Sequence, residues 1–158
     1  MAAGDTTLVC RVANRLCALP LTHVRETMRP LPVEPVAGVP APVEGVAIIR
    51  GAPVPVVDLG RLVSGERSTA RRFVTLRLGE RSVALGVESV LGIRTIPRDT
   101  NHELPPLLHE ADHDAIARIG TLDAELLLVL RDTRLIPEAT WTALERATQG
   151  PRPEHPEE

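Results

Sequence analysis

Residues 43–59, VEGVAIIRGAPVPVVDL, decide the fold class of this 158-residue chain. The stretch is a nearly unbroken apolar run that contains one arginine, Arg50, and ends near one aspartate, Asp58. Short runs rich in β-branched residues on either side of a Gly and Pro turn predict a β-hairpin rather than a helix. Because Pro53 and Pro55 cannot donate ladder hydrogen bonds, the returning strand is predicted to lie partly at a sheet edge.

The same pattern continues on both sides of this hairpin. LVCRV and RLCALPL, joined by Ala13–Asn14, form a second predicted hairpin that places Cys10 opposite Cys17. RFVTLRL and RSVALGV, joined by Gly79–Glu80, form a third. Residues 29–45 carry five prolines, so they are predicted to form an extended loop.

Two stretches of the chain are repeated at a distance. Residues 8–24 align without gaps on residues 74–90, and residues 54–62 align on residues 127–135. The matches occur in the same order, so both halves are predicted to follow one plan. Closed barrels remove exposed strand edges, and the repeat therefore predicts an all-β protein made of two packed, similar barrels.

The predicted domain covers residues 6–146. Its first barrel spans roughly residues 18–65 and its second roughly residues 70–136, and the N-terminal strand is allowed to cross between them. Residues 147–158 are predicted to form a disordered tail.

A short C-terminal helix is predicted after the second barrel. In PEATWTALERATQ, residues 137–149, Pro137 suits the start of a helix, Glu138 lies in the first turn and Arg146 lies in the last. This helix is expected to pack Trp141 and Leu144 against the barrels.

Composition excludes several classes of function. The formal charge is -3 and only 1% of residues are aromatic, so nucleic-acid binding is not expected. No apolar stretch is long enough to span or insert into a membrane, and no signal sequence opens the chain, so we expect a cytoplasmic protein. No Walker loop, GxGxxG or GxSxG motif occurs, which argues against an enzyme and against a bound cofactor.

Two features suggest an alternative, a metal- or redox-responsive sensor. Residues 97–114 form a His- and acid-rich segment that is predicted to be a loop, but its spacing matches no tight ligand pattern. We therefore predict no metal site there. Cys10 and Cys17 could act as a redox pair, although two small core hydrophobes explain them more simply.

The aliphatic stem of Arg50 is predicted to be covered by apolar neighbours, and its charged guanidinium needs a carboxylate partner. The candidate partners are Glu26, Glu44 and Asp58. One interpretation is that the arginine pins its hairpin through such a pair. The other is an ion pair at the rim of an exposed apolar patch, which is typical of a protein-binding surface.

Five stretches resemble the CheW-like domain family in order and spacing, and the resemblance covers roughly residues 6–146. They are ALPLTHVRE at 18–26, GVP at 38–40, GVAIIRG at 45–51, PVVDL at 55–59 and VALGVESVLGI at 83–93. The resemblance implies two packed five-stranded SH3-like β-barrels and a non-catalytic adaptor. Such an adaptor couples the cytoplasmic tips of methyl-accepting chemoreceptors to the regulatory domain of a CheA-type histidine kinase, in arrays at the inner face of the membrane.

The resemblance also implies a receptor-binding site. Glu26 and Arg50 match a family pair on the receptor-binding surface, and Val24 and Gly45 fall at neighbouring positions. Val46 and Ile48 would line an apolar groove for the helical receptor tip. The resemblance assigns no kinase-binding residues, and an accessory protein that binds receptors but not the kinase is the alternative within the family.

Overall fold

The computed structural model describes residues 4–97, 102–103, 116–130 and 136–149. These residues form eleven strands, one 3₁₀ helix and two α-helices. The elements in chain order are β1 Gly4–Val12, β2 Arg15–Pro20, the 3₁₀ helix Leu21–His23, β3 Val24–Met28, β4 Val43–Ile49, β5 Ala52–Asp58, α1 Leu59–Ser64, β6 Arg72–Leu78, β7 Arg81–Val87, β8 Ser89–Pro97, β9 His102–Glu103, β10 Ile116–Leu122, β11 Glu125–Leu130 and α2 Glu138–Gln149. All three predicted hairpins and the C-terminal helix are present.

The strands form two sheets. The first sheet has the order β3-β6-β7-β5-β4, and the second sheet has the order β8-β1-β2-β11-β10-β9. Since β9 has only two residues, each sheet contains five longer strands. This arrangement agrees with the predicted pair of five-stranded units.

The predicted boundaries of the two units do not follow these sheets. The N-terminal hairpin β1–β2 belongs to the second sheet, whereas β6–β7 from the middle of the chain belongs to the first. Each sheet therefore contains a hairpin from the other half of the chain. A division at residues 65–70 cuts the first sheet in two, because parallel pairing of β5 with β7 joins the segments on either side of it.

The sheet register explains the internal repeat. In the first sheet, Val56 of β5 lies opposite Ala84 of β7 in a parallel pair. In the second sheet, Val129 of β11 lies opposite Ala18 of β2, also in a parallel pair. The internal repeat relates these two residue pairs to each other, because it aligns Ala18 with Ala84 and Val56 with Val129. The repeat is thus a repeat of strand pairing, with the hairpins exchanged between sheets.

Apolar side chains on the two faces of the strands form three hydrophobic cores. Residues facing one way along β1, β2, β6, β7 and β11 meet between the sheets and form the largest core, which α2 also contacts through Trp141 and Leu144. The opposite faces fill a smaller core within each sheet. Because both faces of these strands are buried, their sequences read as nearly continuous apolar runs. Burial on both sides packs the sheets against each other.

The helix α1 was not predicted. Its N-cap is Asp58, whose Oδ1 accepts a hydrogen bond from the backbone N–H of Arg61 at 3.1 Å. The backbone N–H of Ser68 donates to Oδ2 at 2.9 Å, and the Ser68 hydroxyl donates to Oδ1 at 2.5 Å. The buried aspartate therefore joins the end of β5 to the loop before β6.

Two further predictions need correction. The segment 97–114 was predicted to be a loop, but β8 extends through Pro97 and His102–Glu103 form β9, which pairs with β10 at the edge of the second sheet. Backbone pairing with an edge strand can recruit polar residues whatever their side chains prefer. The helix α2 ends at Gln149, as the predicted helix does, so the tail does not begin at residue 147 as predicted, and residues 150–158 lie outside the described residues.

The prolines of β5 lie where the sequence places them. Pro53 and Pro55 pair with β4, while β7 pairs only with the following residues Val56 to Asp58. The first half of β5 therefore has a strand on one side only, as predicted, although β5 lies inside the sheet order. The N–H groups that the two prolines lack would have no strand to pair with on that side, so no hydrogen bonds between strands are lost.

Candidate protein-binding site

A bidentate ion pair joins β3 to the β4–β5 turn. The Nε–H of Arg50 donates to Oε1 of Glu26 at 3.0 Å, and Nη2 donates to Oε2 at 2.5 Å. Both carboxylate oxygens of Glu26 are thus engaged by one guanidinium. The Arg50 side chain remains 78% exposed and that of Glu26 is 30% exposed. The pair is on the surface, where such pairs add little to folding stability and remain accessible to a partner.

Arg50 occupies an unusual backbone position. It has φ 51° and Gly51 has φ 79°, so both central residues of the two-residue turn have positive φ, as type I′ turns require. Asn or Gly favours the first of these positions, whereas arginine pays a backbone penalty there. The same conformation occurs at the Ala13–Asn14 and Asp123–Ala124 turns, so it is the turn geometry of this chain that places Arg50.

The other two candidate partners of Arg50 serve elsewhere. Asp58 is buried and caps α1. Glu44 forms no ion pair among the described residues, and burial, followed by the nearby Asp58 charge, raises its pKa. Among the three candidates, Glu26 alone contacts Arg50.

The pair leads to a pH prediction. The hydrogen bonds from Arg50, followed by its charge, lower the pKa of Glu26 below its usual value. A lowered folded-state pKa adds stability above the unfolded-state value and loses it as pH falls through the folded-state value. We therefore expect the pair to persist through mildly acidic pH and to break only below the usual range of glutamate. NMR titration of the Glu26 carboxyl carbon measures this, and in Arg50→Gln the midpoint should rise towards that of an ordinary glutamate.

An apolar groove lies beside the hairpin that carries Arg50. The groove has a volume of about 390 Å³ and is lined by Leu31, Pro32, Glu34, Val46 and Ile48. The structure therefore brings Val46 and Ile48 together, as predicted. Ile48 is 62% exposed although it is large and apolar, whereas Val46 is buried. Sequence reasoning missed the wall formed by Leu31 and Pro32.

Gly45 allows the proline-rich loop to form that wall. Glu34 and Val46 exchange two backbone hydrogen bonds, of 2.8 and 2.9 Å, which attach the loop to the edge strand β4. A Cβ on Gly45 would overlap the carbonyl oxygen of Glu34 and lie 2.7 Å from its carbonyl carbon. Gly45 is buried, so its place in the structure is that of a spacer between strand and loop.

Val24 does not line the groove. It is half-buried in β3 and packs against the core between the sheets. Of the six residues predicted for the site, the structure brings Glu26 to Arg50 and Val46 to Ile48, while Val24 and Gly45 support the elements that carry them.

A second depression, here named the cationic cleft, includes the ion pair. It has a volume of about 500 Å³, and its charged lining consists of Arg25, Glu26, Arg50 and Arg77. Ile49, Val54 and Leu76, all buried, also line it. The β4–β5 hairpin contributes to both depressions, because Ile48 lines the groove whereas Ile49 and Arg50 line the cleft, and the two depressions share no lining residue.

The features that suggested a sensor do not converge on a site. Cys10 and Cys17 lie opposite each other as buried free thiols, and burial raises the pKa of each to about 12. A thiolate, the reactive form, is therefore strongly disfavoured. Among the described residues no group of three or more His, Cys, Asp or Glu side chains could hold a metal ion. Most of the His-rich segment lies outside those residues.

Comparison with known proteins identifies the family. Residues 6–140 match the family described as the CheW-like domain. The chain belongs to the CheW-like domain family. A solved structure of the scaffolding protein TtCheW from Thermoanaerobacter tengcongensis is similar, with a TM-score of 0.70 and 21% sequence identity over 81% of this chain and 89% of that one. This likeness confirms the predicted fold of two packed β-barrels.

Membership defines the general class of function. CheW-like proteins are non-catalytic scaffold proteins of chemotaxis. In the part of this CheW-like chain that the structure describes, no helix is long and apolar enough to cross a membrane. Because scaffold proteins act by binding other proteins, we interpret the candidate site as a protein-binding surface.

Proposed function

We propose that this CheW-like protein couples the cytoplasmic tips of methyl-accepting chemoreceptors to the regulatory domain of a CheA-type histidine kinase. The observation that carries the proposal is the bidentate Glu26–Arg50 pair beside a groove with an exposed isoleucine, Ile48. The protein would act in the cytoplasm, recruited to receptor arrays at the inner face of the membrane.

The groove fits a helix better than an extended peptide. Its edge strand β4 is covered at Val46 by the loop residue Glu34, so an added β-strand would find part of that edge occupied. A helix instead lays a row of apolar side chains into a groove, and a few buried anchors supply most of the affinity. Ile48 is the natural anchor contact, and the charge pair at the rim sets the register.

An adaptor needs a second surface, and the second sheet offers one. Leu91 and Ile93 on β8 are 46% and 60% exposed although both are large and apolar. Among the described strands β8 pairs only with β1, so it is an edge strand of that sheet. We assign this surface to the kinase, because it lies on the sheet that does not carry the Glu26–Arg50 pair.

Arg50→Asn tests the role of the ion pair. Asn–Gly is the favoured sequence for a turn with positive φ at both central residues, so the melting temperature should stay the same or rise. The neutral side chain cannot form the bidentate pair, and we expect binding to a receptor tip fragment to weaken about tenfold or more. Isothermal titration calorimetry with that fragment measures the affinity. Unchanged affinity would show that Arg50 has no part in binding.

Charge reversal separates contact within the pair from contact with the partner. Glu26→Arg and Arg50→Glu each leave two like charges side by side, so each variant should bind poorly. The double variant should regain part of the affinity if the two side chains act mainly by holding each other in place. A double variant no better than either single one would contradict that view.

Titration of wild type with the kinase regulatory domain tests the coupling itself, and absence of binding would favour the receptor-only accessory role.

A further inference from the structure

We infer that the cationic cleft binds a carboxylate of the receptor tip. The partner of the whole site is then an amphipathic helix that places apolar side chains in the groove and an acidic side chain between Arg25 and Arg77. This inference rests on the proposed function, because it specifies the chemistry of the partner at the same surface.

The cleft has more positive than negative charge. Three arginines and one glutamate line it, and both oxygens of Glu26 are already bound by Arg50. Arg25 forms no ion pair with any described carboxylate. Arg77 donates its Nε–H to the carbonyl oxygen of Gly79 at 2.9 Å, which fixes the guanidinium and leaves its terminal nitrogens without a carboxylate among the described residues. Neither Arg25 nor Arg77 forms an ion pair in the part of the chain that the structure describes, although the charge of Arg25 acts on the neighbouring Glu26 carboxylate and helps to lower its pKa.

The surroundings strengthen the attraction for an anion. Buried side chains of Ile49, Val54 and Leu76 line the cleft, and low-dielectric walls increase the field of nearby charges. The protein as a whole carries a net charge of -3, so this positive region is local rather than general. An arginine fork matches the planar geometry of a carboxylate, which favours an acidic side chain as the group bound.

A helix that reaches both depressions crosses the tip of the β4–β5 hairpin, because Ile48 and its neighbour Ile49 face opposite sides of the strand. Ile48 and Arg50 belong to the same hairpin and line the groove and the cleft respectively. Residues three and four positions apart share one face of a helix, so apolar residues and an acidic residue can be presented together. A cleft of about 500 Å³ accommodates side chains rather than a whole helix. The acidic residue therefore enters the cleft while the helix lies above it.

The test uses a purified cytoplasmic tip fragment of a chemoreceptor from the same genome, titrated with the full chain at several salt concentrations. The double substitution Arg25→Gln with Arg77→Gln should weaken binding tenfold or more and make the affinity less dependent on salt. Arg25→Lys with Arg77→Lys keeps the charge and should recover part of the affinity. Arg94→Gln, an exposed arginine on β8, is the matched control and should bind as wild type does.

Each outcome separates this inference from the proposed function. If wild type fails to bind the tip fragment, the proposed function fails and the inference fails with it. If wild type binds and the glutamine double variant binds equally well with an unchanged salt dependence, the inference is overturned while the receptor-binding function stands. Melting temperatures of all variants show whether a loss of affinity reflects unfolding. If the lysine and glutamine variants are both folded and lose the same affinity, the inference is also overturned.

Discussion

Replacing Gly45 with alanine is expected to reduce the free energy of unfolding by about 3–5 kcal/mol. The added Cβ would overlap the carbonyl oxygen of Glu34, and the obstacle is backbone rather than a flexible side chain. Gly45 also has φ 153°, a conformation that residues with side chains rarely adopt. Overpacking against backbone costs about 1–3 kcal/mol or more, and a strained φ adds about 1–3 kcal/mol.

Thermal unfolding of Gly45→Ala measures this effect. For a domain of this size, such a loss lowers the melting temperature by about 10 °C. Gly38→Ala is the matched control, because Gly38 also has positive φ, 81°, but a Cβ added there would meet nothing within 4 Å. The control should lose only the cost of backbone strain. Similar melting temperatures for the two variants would show that close approach of the loop to β4 is unimportant for stability.

The same substitution should also weaken receptor binding, and it should do so indirectly. Gly45 is buried, so a partner cannot use it as a contact, but the loop it admits carries Leu31 and Pro32 into the groove wall. Displacing the loop therefore opens the groove. Gly45 was predicted as a receptor-binding residue, and the structure places it as a buried spacer between β4 and the loop that forms one groove wall.

The sequence predicted those parts of the fold that depend on neighbouring residues. Alternating apolar runs and turn residues identified the hairpins, and the opposition of Cys10 and Cys17 followed from the two-residue turn. The partners of distant strands could not be predicted in this way. Parallel pairing of β5 with β7 and of β11 with β2 exchanges the hairpins, and nothing in local propensity distinguishes that exchange from pairing within each half.

Part of the candidate site was also beyond sequence reasoning. The residues alone left Glu26 as one of three possible partners for Arg50; the family resemblance pointed to Glu26, and the approach of β3 to the β4–β5 turn brings the two side chains into contact. The second groove wall lies in a proline-rich loop that has no periodicity to reveal its buried face. Its position depends on the bridge between Glu34 and Val46, a contact that two backbones make without a side-chain signature.

The largest effect on function is expected from Ile48→Glu, which should weaken receptor binding about 100-fold or more. Docking would bury the introduced carboxylate in an apolar groove without a partner, and such burial is among the costliest changes at an interface. The free protein should fold normally, because Ile48 is 62% exposed there. Calorimetric titration with the receptor tip fragment and thermal unfolding provide the two measurements.

Ile93→Glu is a closely matched control, since Ile93 is 60% exposed and the chemical change is identical. It lies on β8 of the second sheet, so it should leave receptor binding unchanged and weaken binding of the kinase regulatory domain instead. Reciprocal losses would separate a receptor surface from a kinase surface, as an adaptor requires. Retained receptor binding by Ile48→Glu would exclude the groove as the receptor site. If wild type binds the kinase regulatory domain and Ile93→Glu binds it equally well, the kinase surface does not lie on β8.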